Sequence, residues 1–153
     1  MMLLSNGTFV MGQKVPKADS IDIVTKIDDW NKGWKVKDYS LATKWYSDKA
    51  EFTNAFGHSK QGKLEIEKFM KEVFGLPFVM AGDSKVVRQK LIQLDDDVVL
   101  VVTSIERAGQ KAPDGKELGT RRTTHHRVFK KEKEWLISGH LISDARDTES
   151  NRH

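Results

Sequence analysis

Apolar residues recur at helical spacing in three stretches of the first half of the chain. The first stretch follows a suitable N-cap at Asp19 or Ser20 and ends near Gly33, and the second follows Asp38. The third covers residues 63–74 and is closed by a glycine and a proline. The apolar positions that predict these helices are Ile21, Val24, Ile27, Trp30 and Trp34, then Leu41, Trp45 and Tyr46, then Ile66, Phe69, Met70 and Val73.

The second half of the chain has the shorter period that is typical of β-strands. A first strand is predicted earlier, over 50–54, and is followed by a polar loop or hairpin tip at 57–62. The run 98–102 is apolar on both faces, which predicts a central strand that is covered on both sides. Asp95-Asp96-Asp97 lacks the ligand spacing of a calcium loop and is interpreted as a turn. The four C-terminal strands are predicted at 84–94, 98–107, 120–130 and 135–146.

This order of elements predicts an α+β fold in which a cone-shaped, curved antiparallel sheet wraps around three helices. A sheet that bends around helices encloses a cavity of the kind that binds small molecules. One domain is expected over 19–146, with a polar tail at 147–153. Residues 1–18 are interpreted as a disordered tail or as the remnant of a signal peptide whose start lies upstream. The compartment is therefore taken as cytoplasmic by default, and as periplasmic or secreted if residues 1–13 are such a remnant.

Composition excludes several classes of function. The chain has 153 residues, 38% of them hydrophobic, and its 26 basic and 22 acidic residues give a net charge of +4. That excess is dispersed and forms no basic stripe with interleaved aromatics, so no nucleic-acid partner is predicted. No apolar run approaches the roughly 18 residues of a membrane span. The chain contains no cysteine, no glycine-rich dinucleotide loop and no clear metal triad, and no cofactor is predicted.

The chain resembles the nuclear-transport-factor-2-like superfamily, and within it the SnoaL-like proteins of the SgcJ/EcaC type. The resemblance runs from about residue 20 to about residue 143 and implies a cystatin-like, ketosteroid isomerase-like fold. It also implies a homodimer formed through the outer face of the sheet. The residues that carry it are Trp30, Gly33 and Asp38, then Ala50, Glu51, Phe52, Gly57 and Gly62, then Trp135, Leu136, Ile137, His140 and Ser143.

One departure from that family bears on the chemistry. Ketosteroid isomerases carry an aspartate general base in the strand motif that resembles residues 50–57, and this chain has Asn54 there. An amide has no proton acceptor that titrates near neutral pH. The first helix also offers Trp30 and Trp34 and no tyrosine as an oxyanion donor. The resemblance therefore does not extend to the usual isomerase mechanism.

The histidines of the last hairpin are the candidate catalytic residues. If Val128 pairs with Leu136, then His126 and His140 are diagonal neighbours on one face and His125 lies on the other. A slip of one residue exchanges these partners. On that register His126 and His140 would act as acid and base, titrating near neutral pH, or bind a divalent metal. The alternative is that they are polar residues of a solvated face or of a dimer contact, and no metal site is assigned.

Other residues are expected to bind a ligand. Asn54 would donate a hydrogen bond to a ligand carbonyl, and His58 would lie near the mouth of the pocket. Arg88 forms either a cross-strand ion pair with Glu106 or a polar pair inside the pocket. The aromatic residues that would contact the ligand are Trp30, Phe56 and Phe74.

The function expected from these features is the binding of a small hydrophobic molecule that bears a carbonyl group. Whether the chain also catalyses a reaction stays open at this point. The alternative is a non-catalytic domain that uses the same fold for dimerisation or association with a partner. An open cavity lined by histidine, asparagine and arginine favours the first function, and a cone filled by its own aromatic side chains favours the second.

Overall fold

The computed structural model describes residues 14–145. The expected signal remnant at 1–13 and the polar tail at 147–153 lie outside these residues. The elements, in chain order, are α1 (Lys17–Val36), α2 (Tyr39–Thr43), β1 (Tyr46–Thr53), β2 (Ser59–Gln61), α3 (Lys63–Phe74), α4 (Pro77–Met80), β3 (Asp83–Asp95), β4 (Val98–Ala108), β5 (Arg121–Lys131) and β6 (Trp135–Ala145).

The helical half follows the sequence pattern closely. Asp38 accepts a hydrogen bond from the backbone N–H of Leu41 at 3.0 Å and so caps α2 as expected. Helix α1 starts two residues before Asp19 and continues past Gly33 to Val36. Val15, which precedes the helix, is buried in the core, so the folded part begins before the boundary expected at residue 18.

The turn between α1 and α2 requires a glycine inside α1. A Cβ on Gly33 would lie 2.6 Å from the backbone nitrogen of Ala42 and 2.7 Å from the carbonyl oxygen of Asp38. No side chain fits at those distances, and the close approach therefore lets α2 fold back on α1. The same Gly33 carbonyl accepts a hydrogen bond from the Asp38 backbone N–H at 2.8 Å.

The six strands form one curved sheet in the order β2-β1-β6-β5-β4-β3. The α+β fold class predicted from sequence is confirmed. Every neighbouring pair is antiparallel except β1 and β6, which run parallel, so the sheet is mixed rather than purely antiparallel. The strand predicted at 50–54 is longer and begins at Tyr46, which had been assigned to the second helix.

One face of the sheet packs on the helices and carries the core. On β4 the buried residues alternate with half-exposed ones: Val99, Val101 and Thr103 point inward, while Leu100 and Val102 point outward. The expectation that 98–102 is covered on both faces is therefore wrong within one copy of the chain. The core comprises Ile23, Ile27, Trp30, Phe52, Ile66, Met70, Val99, Val101, Phe129, Trp135 and Ile137.

Candidate functional site

A cavity of about 420 Å³ lies between the inner face of the sheet and helices α1, α3 and α4. Its volume falls in the range of small-molecule sites. Trp30 and Trp34 come from the last turns of α1, Phe52 from β1, and Phe69 and Met70 from α3. Polar groups enter the lining from β5, where Arg121, Thr123 and His125 occupy alternate positions on the inward face. The lining also includes one further aromatic ring and several polar or charged side chains: Phe56, Asn54, Arg107, Asp83, Lys32 and Lys35.

A β-bulge decides which histidine faces this cavity. Near the turn, Lys130 pairs with Leu136, but the register shifts between Phe129 and Val128, so that Val128 pairs with Gly139. The expected pairing of Val128 with Leu136 is therefore wrong. The shift places His140 opposite Arg127.

Because of the bulge, His125 rather than His126 shares a face with His140. His125 is buried and lines the cavity, whereas His126 lies on the outer face, where its Nδ1 makes no hydrogen bond to any of residues 14–145. The expected pair of His126 and His140 is not brought together. His140 itself is buried directly behind His125, with its Nε2 2.9 Å from Nδ1 of His125.

Three buried side chains and the half-buried Thr123 form a hydrogen-bonded chain that ends at the cavity. The hydroxyl of Tyr46 lies 2.5 Å from Nδ1 of His140. From His140 the chain passes to Nδ1 of His125, and Nε2 of His125 lies 3.2 Å from the hydroxyl of Thr123. Tyr46 is at the start of β1, so the chain crosses the sheet from β1 through β6 to β5.

Arg127 fixes the direction of every bond in that chain. Its Nη2 donates to Nδ1 of His125 at 3.2 Å, and a guanidinium can only donate. Nδ1 of His125 is therefore an acceptor, and the proton of the neutral ring sits on Nε2, at the cavity end. His140 must then donate from Nε2 and accept the Tyr46 hydroxyl at Nδ1. One permanent cation thus selects the tautomers of both histidines.

The pKa values agree with neutral histidines. Burial, and next the charge of Arg127, hold the pKa of both His125 and His140 well below 6.5. Burial raises the pKa of the Tyr46 hydroxyl, which therefore stays protonated. Burial lowers the pKa of Arg127 to about 10, which leaves the guanidinium charged at neutral pH. The expectation of a histidine that titrates near neutral pH does not hold for this pair.

Arg107 shapes the mouth of the cavity. Its Nε donates to the carbonyl of Ala81 and its Nη2 to that of Met80, each at 2.9 Å, and its Nη1 donates to the Ser84 hydroxyl at 3.2 Å. The guanidinium also lies 5.5 Å from the centre of the Trp34 ring. Arg107 on β4 therefore holds the connection between α4 and β3 next to the wall of the cavity that Trp30 and Trp34 form, called the tryptophan wall below.

The expected ligand-binding residues occupy different places. Trp30, Asn54 and Phe56 line the cavity, and Phe56 lies at its mouth with the Arg121 guanidinium 5.1 Å from its ring. The side-chain oxygen of Asn54 accepts from the backbone N–H groups of Phe56 and His58 and so shapes the β1–β2 turn. Its amide N–H groups are the part that can face a ligand.

The other three expected contacts do not reach the cavity lining. Phe74 packs edge-on against Trp34 with ring centres 4.7 Å apart, and His58 lies in the exposed β1–β2 turn. Arg88 is exposed on β3 opposite Ser104, and Glu106 instead accepts from Arg122 at 3.0 Å. Neither the Arg88–Glu106 ion pair nor a pocket role for Arg88 is found.

Sequence reasoning missed Tyr46, Thr123, His125, Arg127 and Arg107. The consecutive histidines 125 and 126 must point to opposite faces of their strand, so one of them had to face inward. The choice between them depends on the bulge, whose extra residue is Ser138 on β6; the neighbouring Gly139, a glycine inside a strand, is the signal that could have marked it. Within residues 14–145 no group of three acidic, histidine or cysteine side chains is placed to hold a metal ion. None of the described helices is long and apolar enough to cross a bilayer.

No family model matches this chain, and no curated protein matches it by sequence. Solved structures do match it. An uncharacterized protein with a cystatin-like fold from Caulobacter vibrioides superposes with a TM-score of 0.76 at 11% identity, over 88% of this chain and 94% of that one. An NTF-2 like protein of unknown function from Shewanella oneidensis gives 0.64 at 16% identity, over 82% and 98%. A ketosteroid isomerase-like protein from Erwinia carotovora gives 0.69 at 12% identity, over 86% and 99%.

The chain therefore shares the fold of these structures, which is described for them as cystatin-like, NTF-2 like or ketosteroid isomerase-like. The resemblance inferred from Trp30, Gly33 and the strand motif at 50–57 is confirmed at the level of the fold. At these identities the likeness carries no activity from one protein to another.

Proposed function

We propose that this protein binds a small hydrophobic molecule that bears a carbonyl group. The observation that carries the proposal is the hydrogen-bonded chain, which ends at the Thr123 hydroxyl and so presents a directed donor to a cavity walled by aromatic rings. An apolar pocket with a few convergent polar groups is the usual form of a small-molecule site. The ligand oxygen would accept from the Thr123 hydroxyl, whose own oxygen accepts from Nε2 of His125.

The arrangement favours binding over acid–base catalysis by the histidines. A general base needs an acceptor that is free to take a proton. Nδ1 of His125 already accepts from Arg127, and both nitrogens of His140 are engaged behind the cavity wall. The role proposed for His125 is accordingly that of a neutral donor that orients the Thr123 hydroxyl toward the ligand oxygen. Asn54 would supply a second donor from its amide.

Binding of 2-acetylnaphthalene tests this function. We expect the wild-type protein to bind it in fluorescence titrations and to prefer it to 2-ethylnaphthalene, which lacks the oxygen. Thr123→Val should weaken binding of the ketone by about fivefold to tenfold, the worth of one hydrogen bond, and leave 2-ethylnaphthalene unaffected. Thr124→Val is the matched control, because its side chain lies on the outer face of the same strand. Equal losses in both variants, or no binding of the ketone, would contradict the proposal.

A second candidate function is association through the outer face of the sheet. Leu100, Val102 and Val128 are half-exposed there, and Leu141 is 50% exposed. These side chains form a contiguous apolar strip across β4, β5 and β6, with the unpartnered Nδ1 of His126 among them. A homodimer would cover this strip and would make the protein a dimerisation domain, with or without a ligand.

Leu100→Glu tests the homodimer. If the strip is the interface, the wild-type protein should sediment as a dimer and the variant as a monomer, since a buried unpaired carboxylate opposes association. Leu64→Glu is the control, because Leu64 is 81% exposed on α3, away from the sheet. This candidate is excluded if the wild-type protein stays monomeric at 100 µM. That concentration is on the order of a hundred times the dissociation constant of a micromolar dimer.

A further inference from the structure

The donors around the cavity outnumber the acceptors. Among residues 14–145, buried nitrogens without a hydrogen-bond partner include Nε1 of Trp34, which lines the cavity, and Nε of Arg127, which lies behind Trp30. The indole N–H of Trp30 also lacks an acceptor of proper geometry, although it is close enough to the Tyr46 hydroxyl to affect the pKa of that group. All three of these unsatisfied atoms can only donate.

The charged side chains of the cavity lining are mostly cations. The lining contains four cations, Lys32, Lys35, Arg107 and Arg121, and one carboxylate, Asp83. Asp144 pairs with Arg121 at 3.1 Å, so four cations stand against two carboxylates and an excess of two positive charges is left.

Two arginines near the tryptophan wall form no ion pair in the described chain, although the charge of Asp83 acts on Arg107. Arg107 donates to carbonyls and to a hydroxyl, and Arg127 donates to His125 and Thr103. Arg127 is fully buried and stacks 4.8 Å from the centre of the Trp30 ring. A buried cation without an anion is costly, and an anionic ligand nearby would offset that cost.

We infer that the ligand is an aromatic carboxylate, held with its ring between Trp30, Trp34 and Phe56 and its carboxylate toward the cationic side of the cavity. The inference rests on the proposed binding function and specifies the class of its ligand. An ionised carboxylate is an acceptor only, so it matches a wall that offers surplus donors. Hydrogen bonds to an ionised acceptor are stronger than those to a neutral carbonyl, and a partly enclosed cavity screens the charges less than water does.

The test compares two ligands of the same shape, 2-naphthoate and 2-naphthamide, by calorimetric titration at pH 7.5. We expect the carboxylate to bind about tenfold more tightly than the amide. Raising the salt concentration should shrink that preference, because the exposed lysines at the mouth contribute through screened charge.

A double variant assigns the effect to the cavity mouth. Lys32→Gln with Lys35→Gln should weaken 2-naphthoate by about threefold and leave 2-naphthamide unchanged. Lys68→Gln with Lys133→Gln removes the same charge from exposed positions outside the cavity lining and should change neither ligand. If the Lys32→Gln/Lys35→Gln variant still prefers 2-naphthoate to 2-naphthamide, the inference is supported, and the carboxylate is then held by the arginines.

The inference and the function on which it rests can fail separately. If 2-naphthamide binds as well as or better than 2-naphthoate, the anionic class is wrong while the binding function stands. The same holds if 2-acetylnaphthalene binds and 2-naphthoate does not. If none of the three compounds binds a protein with a native circular dichroism spectrum, both are wrong.

Discussion

Acidification from pH 6.5 to pH 5 should lower the free energy of unfolding by about 3 kcal/mol through His125 and His140 alone. Both rings are buried and neutral in the folded protein and regain an ordinary pKa near 6.5 on unfolding. Below that pH the unfolded state binds more protons than the folded state, so stability falls as the pH falls. Each histidine contributes roughly 1 kcal/mol per pH unit on average over this interval, because the unfolded ring is only half protonated at pH 6.5. Urea unfolding at pH 7, 6 and 5 measures the loss.

The charges around the two rings all act in this direction. Arg127, Arg121 and His126 disfavour a proton on His125, and Arg127 and His125 disfavour one on His140. Within residues 14–145 neither ring forms an ion pair with a carboxylate that would stabilise its protonated form. The interval above pH 5 also avoids most of the titration of ordinary carboxyl groups.

Two variants distinguish the contribution of His125 and His140 to the pH dependence of stability from that of the other three histidines. His140→Gln keeps an acceptor for Tyr46 and a donor for His125, and should halve the loss between pH 6.5 and 5. His58→Gln removes a histidine from an exposed turn and should keep the full loss. A wild-type stability that is flat over this interval would contradict the buried, neutral pair.

Trp30→Ala is expected to cost about 3–5 kcal/mol of stability, the usual range for truncating a buried tryptophan. The ring is 5% exposed and forms edge contacts with His125 and His140 at 5.1 and 5.7 Å between ring centres. It also covers the buried guanidinium of Arg127 at 4.8 Å. Its removal therefore takes away a cation–π contact in addition to core packing. Urea unfolding followed by circular dichroism measures the cost without relying on tryptophan fluorescence.

The same variant should change the pH dependence. A void beside Arg127 opens onto the cavity and admits water, which reduces the burial that lowers the pKa of both histidines. We therefore expect a smaller loss of stability between pH 6.5 and 5 in Trp30→Ala than in the wild type. Trp34→Ala is the comparison, because Trp34 is half-buried and its ring packs against Trp30 and Phe74; this change should cost less and leave the pH dependence intact. If the two variants lose the same free energy of unfolding, the contact of Trp30 with Arg127 adds nothing to stability.

The fold was predictable because its signals are local. Helix α3 was placed from apolar spacing and from the glycine after it, and α2 from the capping aspartate Asp38. The parallel pairing of β1 with β6 was not predictable, because the two strands are far apart in sequence and nothing in either one specifies its neighbour. Tyr46 was assigned to a helix since its spacing from Leu41 and Trp45 fits a helix as well as a strand.

The site was predictable only in part, for a physical reason. The aromatic wall follows from the core-facing stripe of α1, which placed Trp30 correctly. The polar end depends on strand register, and one bulge exchanges His125 for His126. Arg127 could not be anticipated from composition, because an arginine in a strand is usually exposed and this one is fully buried.

The position of β6 has a consequence for how the chain is made. This strand lies between β1 and β5, so the segment Trp135–Ala145 joins the N-terminal hairpin of the sheet to the other three strands. On a ribosome, helices α1 to α3 and strands β1 and β2 emerge first, with no sheet partner for the free edge of β1. The sheet closes only after residue 145 has left the exit tunnel. Because these pairings join residues far apart in sequence, folding should be completed late in synthesis. Until then the apolar face of α1 remains exposed to chaperones.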